Sequence, residues 1–186
     1  MKRGHLTIVC GPSGCGKSTL IKAFLKKYDH FTFPTSVTTR SPREGEVHGE
    51  HYFFMSKEDF KAKNDKGEFL EYADVYGQYY GTLKATIDDS LIKGESLIKD
   101  IDIQGAKSLM KTLDPSDLTS IFISPPSLEA LKDRLDKRGS ENESTLKRRL
   151  QEAELEMSDS HLFNHVIIND KLEQAYEDFE KILLNQ

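Results

Sequence analysis

An α/β fold, with a parallel-sheet core flanked by helices, is what this sequence predicts, and three observations predict it. Short apolar runs of strand length alternate with amphipathic segments of helix length, the order of strand–helix crossovers in a parallel sheet. The first apolar run shows no polar alternation, as in a strand buried on both faces. One stretch, from about 35 to 82, interrupts this rhythm with aromatic, β-like segments and reads as a mixed α/β insertion on the core.

The elements follow in order. Leu6 to Cys10 is a β-branched, apolar run that stops at a glycine. The segment after the next glycines is helical, because Leu20, Ile21, Phe24, Leu25 and Tyr28 fall on one stripe. Within the insertion, "HYFFM" and "EFLEYADVYGQYYGT" are β-like, separated by a short helix in "SKEDFKAKNDKG" with Ser56 as N-cap. Beyond it, "SLIKDID", "TSIFIS" and "HVIIN" read as strands. "QGAKSLMKTL", "SLEALKDRLDKR", "STLKRRLQEAELEM" and "KLEQAYEDFEKILL" read as helices. No internal repeat or low-complexity stretch interrupts them.

A chain of 186 residues builds one compact unit with room for an inserted subdomain. With 37% hydrophobic and 31% charged residues it reads as soluble, and no apolar run reaches bilayer-spanning length. The start has basic residues but no hydrophobic core of signal-peptide length, so the expected address is cytoplasmic, with no membrane partner. A net charge of −5 argues against a broad nucleic-acid surface. The two cysteines, Cys10 and Cys15, are too few for a structural zinc site. Cys10, ending an apolar run, reads as a buried small hydrophobe. Cys15 stands near a helix N-terminus, where a thiol pKa can fall toward redox sensitivity.

Residues Gly11 to Ser18 spell G-P-S-G-C-G-K-S, matching the phosphate-loop (P-loop) pattern G-x-x-x-x-G-K-[ST] at every fixed position and lying between a strand and a helix. Glycines let backbone N–H groups turn inward onto phosphate oxygens, and the helix N-terminus adds its positive dipole end. The spacing assigns a nucleoside triphosphate to Gly11, Pro12, Ser13, Gly14, Cys15, Gly16, Lys17, Ser18 and Thr19. Lys17 is the mobile charge for the terminal phosphates, and Ser18 the hydroxyl for Mg²⁺. "DIQG" at 102 to 105 has the D-x-x-G shape of GTPases, but the sequence has no Asn-Lys-x-Asp stretch to go with it.

Over almost its whole length the chain resembles the guanylate kinases. The residues that carry the likeness are "GPSGCGKST" (11 to 19), "TTRSPREGEVHGEHYFF" (38 to 54), "EFLEYADVYGQYYGT" (68 to 82), "DIDIQG" (100 to 105), "PPSLEALKDRLDKRG" (125 to 139) and "VIIND" (166 to 170). The resemblance implies transfer of the terminal phosphoryl group of ATP to GMP (and dGMP), with Mg²⁺. It implies a core of 1–34 and 83–186, a GMP-binding subdomain of 35–82 and a small helical lid of 138–148. The expected partners are small-molecule substrates only, and the expected state a monomer or weak homodimer.

By the same resemblance Arg40, Arg43, Tyr52 and Tyr80 surround the GMP phosphate, Ser36, Glu71, Thr82 and Asp102 meet the base, and Glu46 belongs to the GMP-binding set. An arginine offers phosphate a planar fork. A carboxylate such as Glu71 accepts from both the ring N–H and the exocyclic amine of guanine, a pair adenine lacks on that edge. Read without the family, Tyr52, Tyr79 and Tyr80 are ordinary sheet aromatics and Glu71 a solvent-facing charge. Asp100 and Asp102 lie where a parallel strand ends, the place α/β sheets put ligands, and two carboxylates in one buried strand have no cheap structural explanation. Asp100 is the expected carboxylate near hydrated Mg²⁺. Arg134, Arg138 and Arg149, rather than Arg148, would close on the triphosphate as charge moves, and with Lys17 and Arg40 they form the catalytic set. Asn169 would meet the adenine side.

The sequence departs from the family at Pro34 and Thr35, where smaller, serine-rich sequence is expected, and at Thr82, where serine is commoner. Two other functions share these features: a scaffold domain that binds phosphopeptides in the former GMP pocket, and a kinase for AMP, UMP or TMP. An intact phosphate loop argues against the first, and Glu71 with Asp102 against the second.

Overall fold

The computed structural model describes residues 4–75, 77–137 and 143–185. The chain opens with β1 (His5–Cys10), α1 (Lys17–Lys27) and a two-residue β2 (Phe31–Thr32). The insertion follows, with β3 (Val37–Thr38), β4 (Phe53–Phe54), α2 (Lys57–Asp65) and the hairpin β5 (Phe69–Val75) and β6 (Gln78–Leu83). The core resumes with α3 (Lys84–Ile92), β7 (Ser96–Asp100), α4 (Ile103–Thr112), β8 (Leu118–Ser124), α5 (Leu128–Asp136), α6 (Glu143–Ser158), β9 (His165–Ile168) and α7 (Leu172–Leu184).

The core strands pair in the order β2-β7-β1-β8-β9, and every pair is parallel. Their register sets Val9 beside Asp100 and Cys10 beside Phe122, so the segment leaving β7 and the turn leaving β1 open into the same crevice. Alternation splits the sheet into two buried faces. Val9, Ile98, Ile121 and Ile167 pack under Leu20, Ile21 and Phe24 of α1 and Ala175, Phe179 and Leu183 of α7. Leu6, Ile8, Leu97 and Phe122 pack under Ile87 and Leu91 of α3 and Ala106 and Leu109 of α4. Each fully buried side chain of this kind contributes about 1.5 to 3 kcal/mol.

The insertion forms its own sheet in the order β4-β3-β6-β5, with β3 and β4 parallel and the other pairs antiparallel. Val37, Phe60 and Phe69 make a separate small core beneath it. The Ser56 hydroxyl accepts from the Asp59 N–H at 3.0 Å, the capping bond expected from sequence.

Three elements carry no clear sequence signal, one of them the two-residue β3. β2 is only two residues long, and α3 is short, with β-branched Thr86 and Ile87 and no side-chain cap. The strand "SLIKDID" also ends sooner than expected, at Asp100. Asp102 lies beyond it as the N-cap of α4, its Oδ1 accepting from the N–H of Gln104 at 2.8 Å and of Gly105 at 3.0 Å. The expectation of two carboxylates in one buried strand is therefore corrected: Asp102 is exposed and has a structural task of its own.

Candidate active site

Past Cys10 the chain turns through Gly11 and Gly16, with φ of 141° and 104°, conformations that L side chains rarely adopt. Space imposes the same choice. A Cβ on Gly11 would fall 2.1 Å from the Ile123 carbonyl oxygen, and one on Gly16 would fall 2.2 Å from Asn169 Nδ2. Between them the Cys15 N–H donates to the Pro12 carbonyl at 3.1 Å, closing a tight turn ahead of α1. Lys17 folds back over this turn and donates to the carbonyls of Gly11 at 2.6 Å and Pro12 at 3.3 Å. Ser18 and Thr19 are exposed in the first turn of the helix.

The loop is braced from behind. Asn169, buried just past β9, donates its side-chain nitrogen to the Cys15 carbonyl at 2.7 Å and its backbone N–H to Ser124 at 2.8 Å. Its own carbonyl accepts from Arg134 Nη2 of α5 at 2.7 Å. Asn169, expected on the adenine side, thus gives its amide nitrogen to the loop, and Arg134, expected over the triphosphate, holds Asn169.

Both thiols are buried. Burial pushes Cys10 up to about 12 and raises Cys15 as well, outweighing the opposing pull of Lys17 and the backbone N–H groups. Cys10 is the buried small hydrophobe that its place at the end of an apolar run implies, and at Cys15, where a helix N-terminus can lower a thiol, desolvation wins.

The loop opens onto a cavity of about 390 Å³ whose far wall carries Asp100, Asp102 and Glu156. Burial raises Asp100, against the lowering effects of Lys17 and then Lys99. Burial also raises Glu156 on α6, and Lys17 lowers it. Sequence reasoning missed Glu156. Its signal was there, a charge three residues past the buried Ala153 and so on the inward stripe of α6. A larger hollow of about 490 Å³ lies at the opposite ends of the strands, beside His5, His30 and Asp117, away from the phosphate loop.

On the insertion, Arg40 follows β3 and makes a bidentate pair with Glu46, at 2.8 and 2.9 Å. Its Nε donates to the Tyr80 hydroxyl at 3.3 Å, and its guanidinium lies 5.4 Å from the Tyr52 ring centroid. Glu46 also accepts from the Arg43 N–H at 2.7 Å. These bonds, Arg40 first, hold the Glu46 carboxyl down at about 2 and raise Arg40. The Arg43 side chain is exposed.

Glu71 of β5 is the insertion's inward carboxylate. Its Oε1 accepts from the Thr82 hydroxyl of β6 at 2.6 Å. Burial raises it, the Thr82 bond and Lys99 lower it, and Asp102 raises it. Gly105 allows α4 to approach, since a Cβ there would lie 3.2 Å from Glu71 Cβ and 2.9 Å from Ile101. Behind this group Lys99 of β7 is only 3% exposed and donates to the Ser36 hydroxyl and, at 3.3 Å, to the Pro34 carbonyl. Sequence reasoning did not single out Lys99, although a lysine in a run otherwise read as buried strand is an anomaly.

Gly11, Ser13, Gly14, Gly16, Lys17, Ser18 and Thr19 therefore line one crevice with Asp100 and Asp102, Asn169 and Arg134 stand behind it, and Arg40, Glu46, Tyr52 and Tyr80 gather at a second cluster. Ser36, Glu71 and Thr82 lie with Lys99 between the two sheets. Arg149 is half-buried on α6, and Arg148 pairs with Glu152 at 3.7 Å. Arg138, and with it 138–142 of the expected lid, lies outside the described residues.

Comparison with known proteins agrees with this geometry. The family model for guanylate kinase matches residues 3–186. Guanylate kinase of Clostridium perfringens strain SM101 is 44% identical over 182 residues, covering 98% of this chain and 83% of the relative. That of Clostridium tetani is 44% identical over 183 residues, covering 98% and 86%, and that of Geobacter metallireducens is 42% identical over 185 residues, covering 99% and 90%. The crystal structure of guanylate kinase from Anaplasma phagocytophilum superposes with a TM-score of 0.73 at 30% identity, covering all of this chain and 87% of that one. With the phosphate loop, the parallel core and the mixed insertion all in place, the chain belongs to the guanylate kinase family.

Proposed function

We propose that the chain transfers the terminal phosphoryl group of ATP to GMP and dGMP, giving ADP and GDP or dGDP. The observation that supports this most is the end of β7. There Lys99 donates to the Ser36 hydroxyl and acts on Glu71 at the acceptor side, and the next residue, Asp100, lines the same cavity as Lys17 of the phosphate loop. One strand end thus joins a carboxylate suited to guanine and a cradle suited to triphosphate.

The acceptor phosphate has a second pKa near 6, so it is largely dianionic at neutral pH and attacks without a general base. What the protein supplies is position and charge. Backbone N–H groups of 11–16 and the start of α1 hold the ATP phosphates, and Lys17 leaves the loop carbonyls for the transferring group. Arg40 and Arg43, with the hydroxyls of Tyr52 and Tyr80, hold the GMP phosphate, and Glu46 fixes the Arg40 fork. Glu71 accepts the two guanine donors, with Ser36, Thr82 and Asp102 around it. Arg134, Arg138 and Arg149 complete the charge on closure, Arg134 by exchanging the Asn169 carbonyl for phosphate. Asn169 serves ATP by bracing the loop.

The donor set fits Mg²⁺ arriving with the triphosphate: the exposed Ser18 hydroxyl and the Asp100 carboxylate. Among the described residues no group of three or more His, Cys, Asp or Glu is placed to hold a metal alone, which suits an ion bound partly by substrate phosphates. When bound, Mg²⁺ neutralises charge on the phosphate oxygens. No helix among the described residues is long and apolar enough to cross a membrane. We place the chain in the cytoplasm, as a monomer or weak homodimer without nucleic-acid partners, with 35–82 as the GMP-binding unit and 138–148 as the lid. An ADP-release assay over a panel of monophosphates tests the reading: turnover with GMP and dGMP far above AMP, CMP, UMP and TMP supports it, and comparable turnover of AMP overturns it.

A further inference from the structure

A lysine inside a parallel strand is an expensive residue, because its ammonium loses hydration and has three protons to place. Lys99 meets these demands within a short span of chain. It donates to the Pro34 carbonyl at 3.3 Å and to the Ser36 hydroxyl oxygen, and it stands 5.3 Å from the Phe33 ring centroid. Burial lowers the Lys99 pKa, and the carboxylates that oppose this and favour the charged form are Glu71 and then Asp100, its neighbour on β7. Glu71 in turn faces Lys99, Thr82 from β6 and Asp102 from the start of α4, and of these only Lys99 is a cation.

An apolar residue of similar length would fill this space without the cost of desolvating an ammonium. The charge therefore calls for a role other than packing. An ammonium has no acceptor, so in the Lys99–Ser36 bond the serine oxygen must accept, and the serine proton is left to donate elsewhere. Thr82 is set the opposite way, its proton given to Glu71. Each pocket hydroxyl has its polarity written by a charged neighbour.

We propose that Lys99 is a positioning residue for recognition of the acceptor base: it fixes the Ser36 hydroxyl as a donor toward the pocket and sets a buried positive charge behind the Glu71 carboxylate. The inference rests on the reading of Glu71 as the carboxylate that receives guanine. It places one determinant of purine choice on the core sheet, outside the insertion that carries the other base-reading groups apart from Asp102.

Lys99→Met tests it, with GMP and ATP varied separately. The expected result is a fall of about tenfold or more in kcat/KM for GMP, carried by KM for GMP, with KM for ATP unchanged within about twofold. The thermal midpoint should fall, because removing one partner leaves the Glu71 carboxyl buried without its cation, so the split between KM for GMP and KM for ATP carries the test. In a Glu71→Gln background the same change should cost distinctly less, because the two residues act together. Lys99→Gln, which keeps a donor for Ser36 but no charge, should fall between wild type and Lys99→Met, and it decides the matter if the methionine variant does not fold. An unchanged KM for GMP, or a loss shared equally by ATP and GMP, would overturn the inference in favour of a packing role. Full additivity with Glu71→Gln would overturn the part that runs through Glu71. Glu71→Gln alone separates the failures: if it leaves the GMP to AMP preference intact, the underlying reading of the base pocket is wrong, whatever Lys99 does.

Discussion

The Asn169 side-chain nitrogen donates to the Cys15 carbonyl at 2.7 Å, tying the last core strand to the middle of the phosphate loop across 154 positions of sequence. The bond is buried and Gly16 leaves room for it, since any Cβ there would collide with that same nitrogen. The loop's shape is therefore a tertiary product, held at its back by a residue far along the chain.

Asn169→Ala should leave the Cys15 carbonyl buried without its partner, at a cost of about 1 to 3 kcal/mol, or a fall of roughly 3 to 10 °C in thermal midpoint. Because the loosened element is the triphosphate cradle, KM for ATP should rise about tenfold while KM for GMP changes little. Calorimetry and steady-state kinetics check both, and a variant with a normal midpoint and normal KM for ATP would show that the loop keeps its shape unaided.

Lys17→Ala removes a half-buried chain whose hydrogen bonds run to the loop carbonyls of Gly11 and Pro12. Phosphoryl transfer should fall about a hundredfold or more, as when one preorganised donor to developing charge is lost, with an unchanged circular dichroism spectrum. Retention of more than about a tenth of the rate, less than roughly 1.4 kcal/mol of barrier, would take Lys17 out of the transferring step.

The pH dependence of base choice follows from Glu71. Burial raises its pKa, so on acidification it takes up a proton earlier than an exposed carboxylate, and a protonated carboxyl no longer accepts both guanine donors. GMP and AMP share the same phosphate titration, so their ratio of kcat/KM isolates the base. That ratio should shrink as pH falls, beginning above the ordinary glutamate range near about 4.3, and Glu71→Gln should flatten the trend. A ratio independent of pH in the wild type would mean that an uncharged group reads the base.

How much of this was legible in the sequence depends on how local each feature is. The phosphate loop was fully legible, because glycine spacing, lysine and strand–helix context all lie within 6–19. The layered core was legible from its apolar runs, and Ser56 from its place before a helix. What escaped was set by distant partners. Lys99 and Glu156 acquire meaning only through Glu71, Ser36 and Lys17, which the fold brings to them. Asp102 looked like half of a buried pair because the strand was read two residues too long, and the burial that raises the Cys15 thiol is a property of the fold. α3 was missed because its short, partly β-branched sequence is helical chiefly through packing of Ile87 and Leu91 on the sheet.

The central claim is that one half of the site chooses the base and the other holds phosphate, and the most direct test compares kcat/KM for GMP and AMP in wild type, Glu71→Gln and Arg43→Ala at subsaturating acceptor. Glu71→Gln puts an amide N–H against one of the guanine donors, so the preference for GMP should narrow about tenfold or more, the loss of one bidentate base contact being about 1 to 3 kcal/mol. Arg43→Ala should lower both activities and keep their ratio, because every monophosphate carries the group it holds. A GMP to AMP ratio unchanged in Glu71→Gln would contradict the account and move base recognition to Ser36 and Asp102.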